Sequence, residues 1–222
     1  MFRTKLDYFL RSKGNDKKVI MITSFNPGSG KSFISANLSK VLSLKNARVI
    51  AIDLDLRHVS LSKMFGNAGN GITSYLTGMT DNLEDIITSN VTNDGTCDLI
   101  SVGVLPPNPA ELLLEREKMN ALFSALRERY DYIILDCPPI DIVTDSNIIK
   151  EYTDITLFVV RAGVMDRRSL SDVEELYKNE NYKHMAIVLN GTTYIRNRYG
   201  NYKYGYSYGY AAGYYGSHHE NS

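Results

Sequence analysis

The sequence predicts an α/β fold in which a central, mostly parallel β-sheet is flanked by helices on both faces. Two observations predict it. Apolar runs of strand length recur along the 222 residues with helical patterns between them, the alternation that right-handed crossover units produce. The first of these runs, Val19-Ile-Met-Ile22, also passes through a glycine-rich break, Pro27-Gly-Ser-Gly30, directly into a helical pattern.

That first unit is the most informative. Val19 to Ile22 suit a buried parallel strand. From Lys31 onward, Phe33, Ile34, Leu38, Val41 and Leu42 repeat at helical spacing and predict an apolar stripe. A loop between such a strand and helix presents backbone N–H groups inward, and the helix N-terminus adds partial positive charge. Pro27, Gly28, Ser29, Gly30, Lys31, Ser32 and Phe33 therefore form a candidate ATP-phosphate cradle. Lys31 is placed for the β- and γ-phosphates, and the Ser32 hydroxyl for Mg²⁺. The fold class narrows to a P-loop NTPase. The strict G-x-x-x-x-G-K-[ST] pattern is not met, because Phe25 holds the first glycine position.

Composition sets bounds. Net charge is zero, so no global field argues for nucleic acid as a partner. No apolar run is long enough to span a bilayer, and Met1 to Asp7 lack the apolar core of a signal peptide. Cys97 and Cys137 lack metal or redox spacing and fit small core positions in a reducing cytoplasm. Tyrosine is the anomaly, with 16 against 7 Phe and no Trp.

In order, residues 1–18 read as a short amphipathic helix and a basic linker. The local charge is either a solvated face or a contact with anionic lipid or a subunit. Residues 19–191 form the P-loop domain. Ala47 to Arg57 predict a second buried strand, where a period of two puts Asp53 and Asp55 on one side near its carboxyl end. Ligands in open α/β sheets sit outside that end, so both carboxylates stand near the phosphates. Ser60 to Asn90 predict short helices and loops, with a capping-box start over Asp81-Asn-Leu-Glu84.

Cys97 to Gly103 predict a third strand. A single long helix follows over Ala110 to Arg129, with Leu112, Leu113, Met119, Leu122, Phe123 and Leu126 as its stripe. Tyr130 to Asp136 predict a fourth strand ending in one aspartate, the Walker B pattern, in which Asp136 holds Mg²⁺ directly or through water. Ile155 to Arg161 and His184 to Asn190 predict two more strands, separated by a helical stretch over Asp166 to Tyr177. Asn190 offers a donor and an acceptor for adenine; a plain turn Asn before Gly191 is the alternative.

Residues 192–222 predict a flexible tail. Tyr199, Tyr202, Tyr204, Tyr206, Tyr208, Tyr210, Tyr214 and Tyr215 stand among Gly, Asn, Ser and Ala, without Leu, Ile or Val to pack them. Repeated tyrosines beside small residues suit an array of phosphoacceptors.

These pieces, Pro27-Gly-Ser-Gly-Lys-Ser32, Ile52-Asp-Leu-Asp-Leu-Arg57, Ile133-Ile-Leu-Asp-Cys-Pro-Pro139 and the tyrosine-rich tail, together resemble the bacterial tyrosine kinases of capsular and exopolysaccharide export. Gly71 to Gly78, Leu105 to Leu113 and Val143 to Ser146 extend the likeness over nearly the whole chain. The resemblance implies an ATP-dependent tyrosine autokinase. Lys31, Asp53, Asp55 and Asp136 are its catalytic residues, and Ser32, Asp55 and Asp136 its Mg²⁺ ligands. Asp53 is the candidate base, although the division of roles with Asp55 stays open.

The resemblance also implies partners: tyrosine tails of neighbouring subunits, a homo-oligomeric ring in the full-length protein, a membrane part of the same or another chain, and a cognate tyrosine phosphatase. Arg3 matches the last arginine of the family's Glu-x-x-Arg-x-x-Arg ring motif, whose earlier residues are absent. That predicts a fragment of a longer membrane protein, lying in the cytoplasm at the inner face of the bacterial plasma membrane. A partitioning or membrane-positioning P-loop ATPase is the alternative. It requires a lysine where Asn26 stands. A non-catalytic scaffold modified by another kinase is a third reading, and the intact Lys31, Ser32 and aspartates argue against it.

Overall fold

The structure is a computed structural model that describes residues 18–44, 46–66, 69–92, 97–140, 145–179 and 182–192. The N-terminal helix and the tyrosine tail expected from the sequence lie outside these residues. So does the first half of Val143-Thr-Asp-Ser146.

Seven strands make one sheet: β1 (Lys18–Ser24), β2 (Val49–Asp53), β3 (Ile87–Thr88), β4 (Cys97–Ile100), β5 (Tyr132–Asp136), β6 (Ile155–Arg161) and β7 (Met185–Asn190), in the order β3-β4-β2-β5-β1-β6-β7. Every pairing is parallel except that of β3 with β4. The helices are α1 (Lys31–Ser43), α2 (Ser60–Phe65), α3 (Ile72–Leu76), α4 (Pro109–Leu113), α5 (Arg116–Arg129), α6 (Asp145–Ile149) and α7 (Leu170–Lys178).

Both faces of the sheet are buried, which is why the central strands read as unbroken apolar runs. Alternation along each strand feeds two clusters. Met21, Ile50, Ile52, Ile133, Leu135 and Phe158 face Met119, Leu122, Phe123 and Leu126 of α5. Ile20, Ile22, Ala51, Ile134, Leu157 and Val159 face Ala36, Leu38 and Leu42 of α1.

Several boundaries differ from the sequence reading. In α1, Leu38 and Leu42 are buried, but Phe33 is 58% exposed. The buried face is completed by Ser35, Ser39 and Ser43, whose hydroxyls bond back to the carbonyls of Lys31, Ser35 and Lys40. Small residues there let the helix lie close to the sheet. The second strand stops at Asp53, so Asp55 sits in the following turn rather than on the strand.

The capping residue before the short turn Leu83–Asp85 is Asn82, which accepts from the Glu84 N–H. Asp81 pairs instead with Lys118. The single helix expected over Ala110 to Arg129 is two helices. Leu114 closes α4 with an N–H bond to Glu111, and Glu115 leaves helical geometry with ψ 71 before α5 begins. Strand β3 has only two residues, too few to show a period.

Candidate active site

The carboxyl ends of the parallel strands gather the candidate residues. Asp53 and Asp136 are register partners on β2 and β5. Asp136 also pairs with Ile22 of β1, two residues before the strand turns into the glycine loop. The loop delivers Gly30 to the N-cap of α1 with φ 91, a left-handed backbone that favours glycine. Lys31 and Ser32 then open the helix, and Lys31 is 7% exposed.

Asp136 is fully buried. Its Oδ1 accepts from the Ser35 hydroxyl at 3.0 Å, and its Oδ2 has no hydrogen-bond partner among the described residues. Burial pushes its carboxyl up to about 7, and the charge of Asp53 adds to the effect. Hydrogen bonds from Ser32 and Ser35 and the charge of Lys31 oppose it. Asp53 is also fully buried. Its Oδ2 accepts from the Ser62 N–H at 2.8 Å and the Ser62 hydroxyl at 2.7 Å, and its Oδ1 from the Asp55 N–H at 3.2 Å. Burial raises it to about 6, against those bonds from Ser62. Asp55 accepts from the His58 N–H at 3.2 Å, with the His58 ring Nδ1 at the same distance.

A buried carboxylate oxygen without a donor is costly. At Asp136 the hydroxyls of Ser32 and Ser35 stand beside it, and a carboxylate oxygen with hydroxyl oxygens near it fits a hard cation such as Mg²⁺, while the Lys31 ammonium suits a phosphate instead. Among the described residues, no group of three or more His, Cys, Asp or Glu is arranged to hold a metal alone.

The loop is held from the far strands. Asn190, the last residue of β7, donates from Nδ2 to the Ser29 carbonyl at 2.9 Å. Arg161, the last residue of β6, donates from Nη1 to the Gly28 carbonyl at 2.7 Å. A Cβ on Gly30 would collide with the Asn190 amide. The structure thus gathers Asp53, Asp136, Lys31 and Ser32 by the β1–β2–β5 ends, with Asn190 over the loop and Asp55 in the turn after β2. Pro27 and Gly28 are exposed at the tip.

Arg161, Ser35, Ser62 and the Arg57–Asp145 pair did not stand out in the sequence. Arg161 had a signal, as the one basic residue closing an apolar strand among the described residues. The serines had none. Asp145 is 1% exposed and takes its ion pair from Arg57 Nε at 3.3 Å. A separate cleft of about 320 Å³, lined by Arg48, Ser89, Asn90, Asp98, Arg129 and Tyr130, lies at the amino ends of the strands. It shares none of these residues.

Residues 17–183 match the protein-family profile described as an AAA domain. The chain is 34% identical over 195 residues to the tyrosine-protein kinase CpsD of Streptococcus agalactiae, covering 87% of this chain and 83% of that protein. It is 36% identical over 200 residues to a cps-region protein of Klebsiella pneumoniae, covering 89% of this chain but only 27% of the relative, so it spans about a quarter of that longer protein. Among solved structures, the kinase domain of the Escherichia coli tyrosine kinase ETK superposes with a TM-score of 0.77 at 30% identity, over 93% of this chain and 78% of that one. The septum site-determining protein MinD of Pyrococcus horikoshii, solved with Mg-ADP, gives 0.62 at 23% identity over 78% of this chain and 70% of that one, a likeness of fold alone.

Proposed function

The chain belongs to the bacterial tyrosine kinases, and from that premise we propose that it transfers the γ-phosphoryl group of MgATP to tyrosine hydroxyls of its own C-terminal segment. The observation that carries this reading is the orphaned, buried Oδ2 of Asp136 beside Lys31 and Asp53.

Lys31 and the N–H groups of Gly28 to Phe33 bind the phosphates, and their charge complements what builds up as the phosphoryl group moves. Ser32, Asp55 and Asp136 would hold the metal. Bound magnesium supplies charge neutralisation on the β- and γ-phosphates. Asn190 and Arg161 fix the loop, and Asn190 is our candidate for contact with adenine.

An unperturbed tyrosine hydroxyl has a pKa of ~10 and is neutral near pH 7. Asp53, held up at about 6, is suited to accept its proton. The tyrosine oxygen forms the new bond to phosphorus, the bond to the β-phosphate oxygen breaks, and ADP carries away the electron pair. The acceptors are Tyr199, Tyr202, Tyr204, Tyr206, Tyr208, Tyr210, Tyr214 and Tyr215.

In the cell we assign this domain to the cytoplasmic side of capsule or exopolysaccharide export. There its partners are neighbouring tails in a ring, a membrane part and a tyrosine phosphatase. Among the described residues no helix is long and apolar enough to cross a membrane.

The test is direct. Purified chain incubated with MgATP should acquire phosphotyrosine, and Lys31→Met should lose it by at least about a hundredfold with its thermal melt unchanged. Phosphotyrosine in the variant at the wild-type rate would end the proposal.

A further inference from the structure

Among the described residues, β7 is paired on one side only, by β6. Its sequence, Met185-Ala-Ile-Val-Leu-Asn190, carries no charge and no proline. Edge strands commonly use such residues to block further pairing, and an apolar edge without them is a template for another strand. A period of two puts Met185, Ile187 and Leu189 on one face. Ile187 lies in register with Phe158 of β6, and Leu189 with Val160. Phe158 and Val160 are 0% and 9% exposed, whereas Ile187 and Leu189 are 60% and 59% exposed. The apolar cover on this face stops one strand short of the edge.

Beyond Thr192 the sequence continues into Tyr202-Lys-Tyr-Gly-Tyr-Ser-Tyr-Gly-Tyr210. Tyrosine stands there at every second position. An array of acceptors needs tyrosines within reach of one another but needs no period. A period of two is the spacing of one strand face, and tyrosine favours strands. We propose that Tyr202–Tyr210 of a second copy adds to the free edge of β7 as a further strand, laying its rings on Ile187 and Leu189. The proposal rests on the kinase reading and names how the acceptor segment is held.

Main-chain hydrogen bonds supply the affinity and the alternate rings supply the face, as in other cases of strand addition. A slip of two residues keeps every ring on the same face, whereas a slip of one inverts them all. The docked segment therefore steps by two, and successive tyrosines become equivalent. Running parallel to β7, it delivers residues 211–215 to the carboxyl end of the sheet, where Asn190 overlies the glycine loop. Those residues span roughly 17 Å when extended, and four strand spacings from the docked strand to Asp136 on β5 are about 19 Å, so Tyr214 and Tyr215 come within a side chain's length of the site.

The experiment titrates a fluorescent synthetic peptide of residues 201–211 into the full chain without ATP. The readouts are anisotropy and the hydrogen exchange of β7 amides. Saturable binding that protects β7 is expected. The double variant Ile187→Glu, Leu189→Glu should bind at least about tenfold more weakly while keeping its thermal melt, since both side chains are exposed. A peptide of the same composition with its tyrosines in adjacent pairs should lose affinity to a similar degree.

Equal binding by the double variant, or equal binding of the re-ordered peptide, would overturn the proposal. So would protection, in the dilute peptide-free chain, of the alternate β7 amides that point away from β6, because the chain's own segment would then hold the edge. A chain that binds the peptide in this way yet makes no phosphotyrosine with MgATP would leave the edge site standing and refute the kinase reading instead.

Discussion

At the scale of single residues, the site is built around carboxyls that burial keeps from ionising freely. Asp136 is held up at about 7 and Asp53 at about 6, both chiefly by desolvation. Each binds its proton more tightly in the folded chain than in the unfolded one. The stability they contribute is therefore fully present below the unfolded carboxyl range near 4, and it is lost as pH rises through about 6 to 7. Free of nucleotide and metal, the chain should melt at a temperature lower by roughly 5 °C at pH 8 than at pH 5. Asp136→Asn should flatten that difference, because it removes one of the two titrating groups. A melting profile of unchanged slope in the variant would contradict the assignment. Magnesium binding, followed by the melt rather than by activity, should strengthen over the same pH interval as Asp136 gives up its proton, and the variant should lose the effect.

Lys31, Ser32, Asp53 and Asp136 were legible in the sequence because each sits in a short window with a chemical reason for its spacing. Arg161 was not, because its bond to Gly28 joins residues 133 apart. Ser62 was not either. A serine within a short helix carries no mark of the carboxylate it will serve.

At the scale of elements, the glycine loop is not self-supporting. Two strand ends hold it, through Asn190 on Ser29 and Arg161 on Gly28. Removing Asn190 as Asn190→Ala should raise the KM for ATP by roughly tenfold and change kcat less, because binding geometry is lost before chemistry is. Gly30→Ala should do worse. Its φ of 91 penalises any side chain, and the new Cβ meets the Asn190 amide. Combining Gly30→Ala with Asn190→Gly should recover part of the ATP affinity by removing the collision while leaving the backbone strain. If the double change were no better than Gly30→Ala alone, the contact would be irrelevant. ATP affinity by calorimetry decides both cases.

The elements themselves were readable where one force dominates. The parallel core strands announced themselves as apolar runs. The break between α4 and α5 did not, because Leu112 to Phe123 keep a helical period across it and only the local backbone at Glu115 departs. Asp81 and Asn82 are both good caps, and a lysine on α5 took the first of them.

At the scale of the whole molecule, strand order was beyond the sequence. Pairings such as β1 between β5 and β6 are set by crossovers whose direction is fixed by handedness and whose distance is not. What the order does is bring the ends of β1, β2 and β5 together at the glycine loop and, among the described residues, leave β7 at the rim. On the proposed function, a neutral tyrosine would enter a site in which Lys31 and bound Mg²⁺ would compensate Asp53, Asp55 and Asp136. Each phosphate adds about −1.5 to −2 charges, so modifying all eight tyrosines from Tyr199 to Tyr215 adds roughly −12 to −16. Lys203 is the only basic residue within that interval. A modified tail would be repelled from those aspartates, and we propose that transfer runs between molecules, since a charged tail would leave a neighbour's site. Mixing the Lys31→Met chain with an active chain that ends at Thr192 should place phosphotyrosine on the tail of the former, faster as concentration rises. If the Lys31→Met tail stays unmodified while the intact active chain labels itself at a rate independent of dilution, transfer runs within one molecule. The added charge would then have no neighbour to push away.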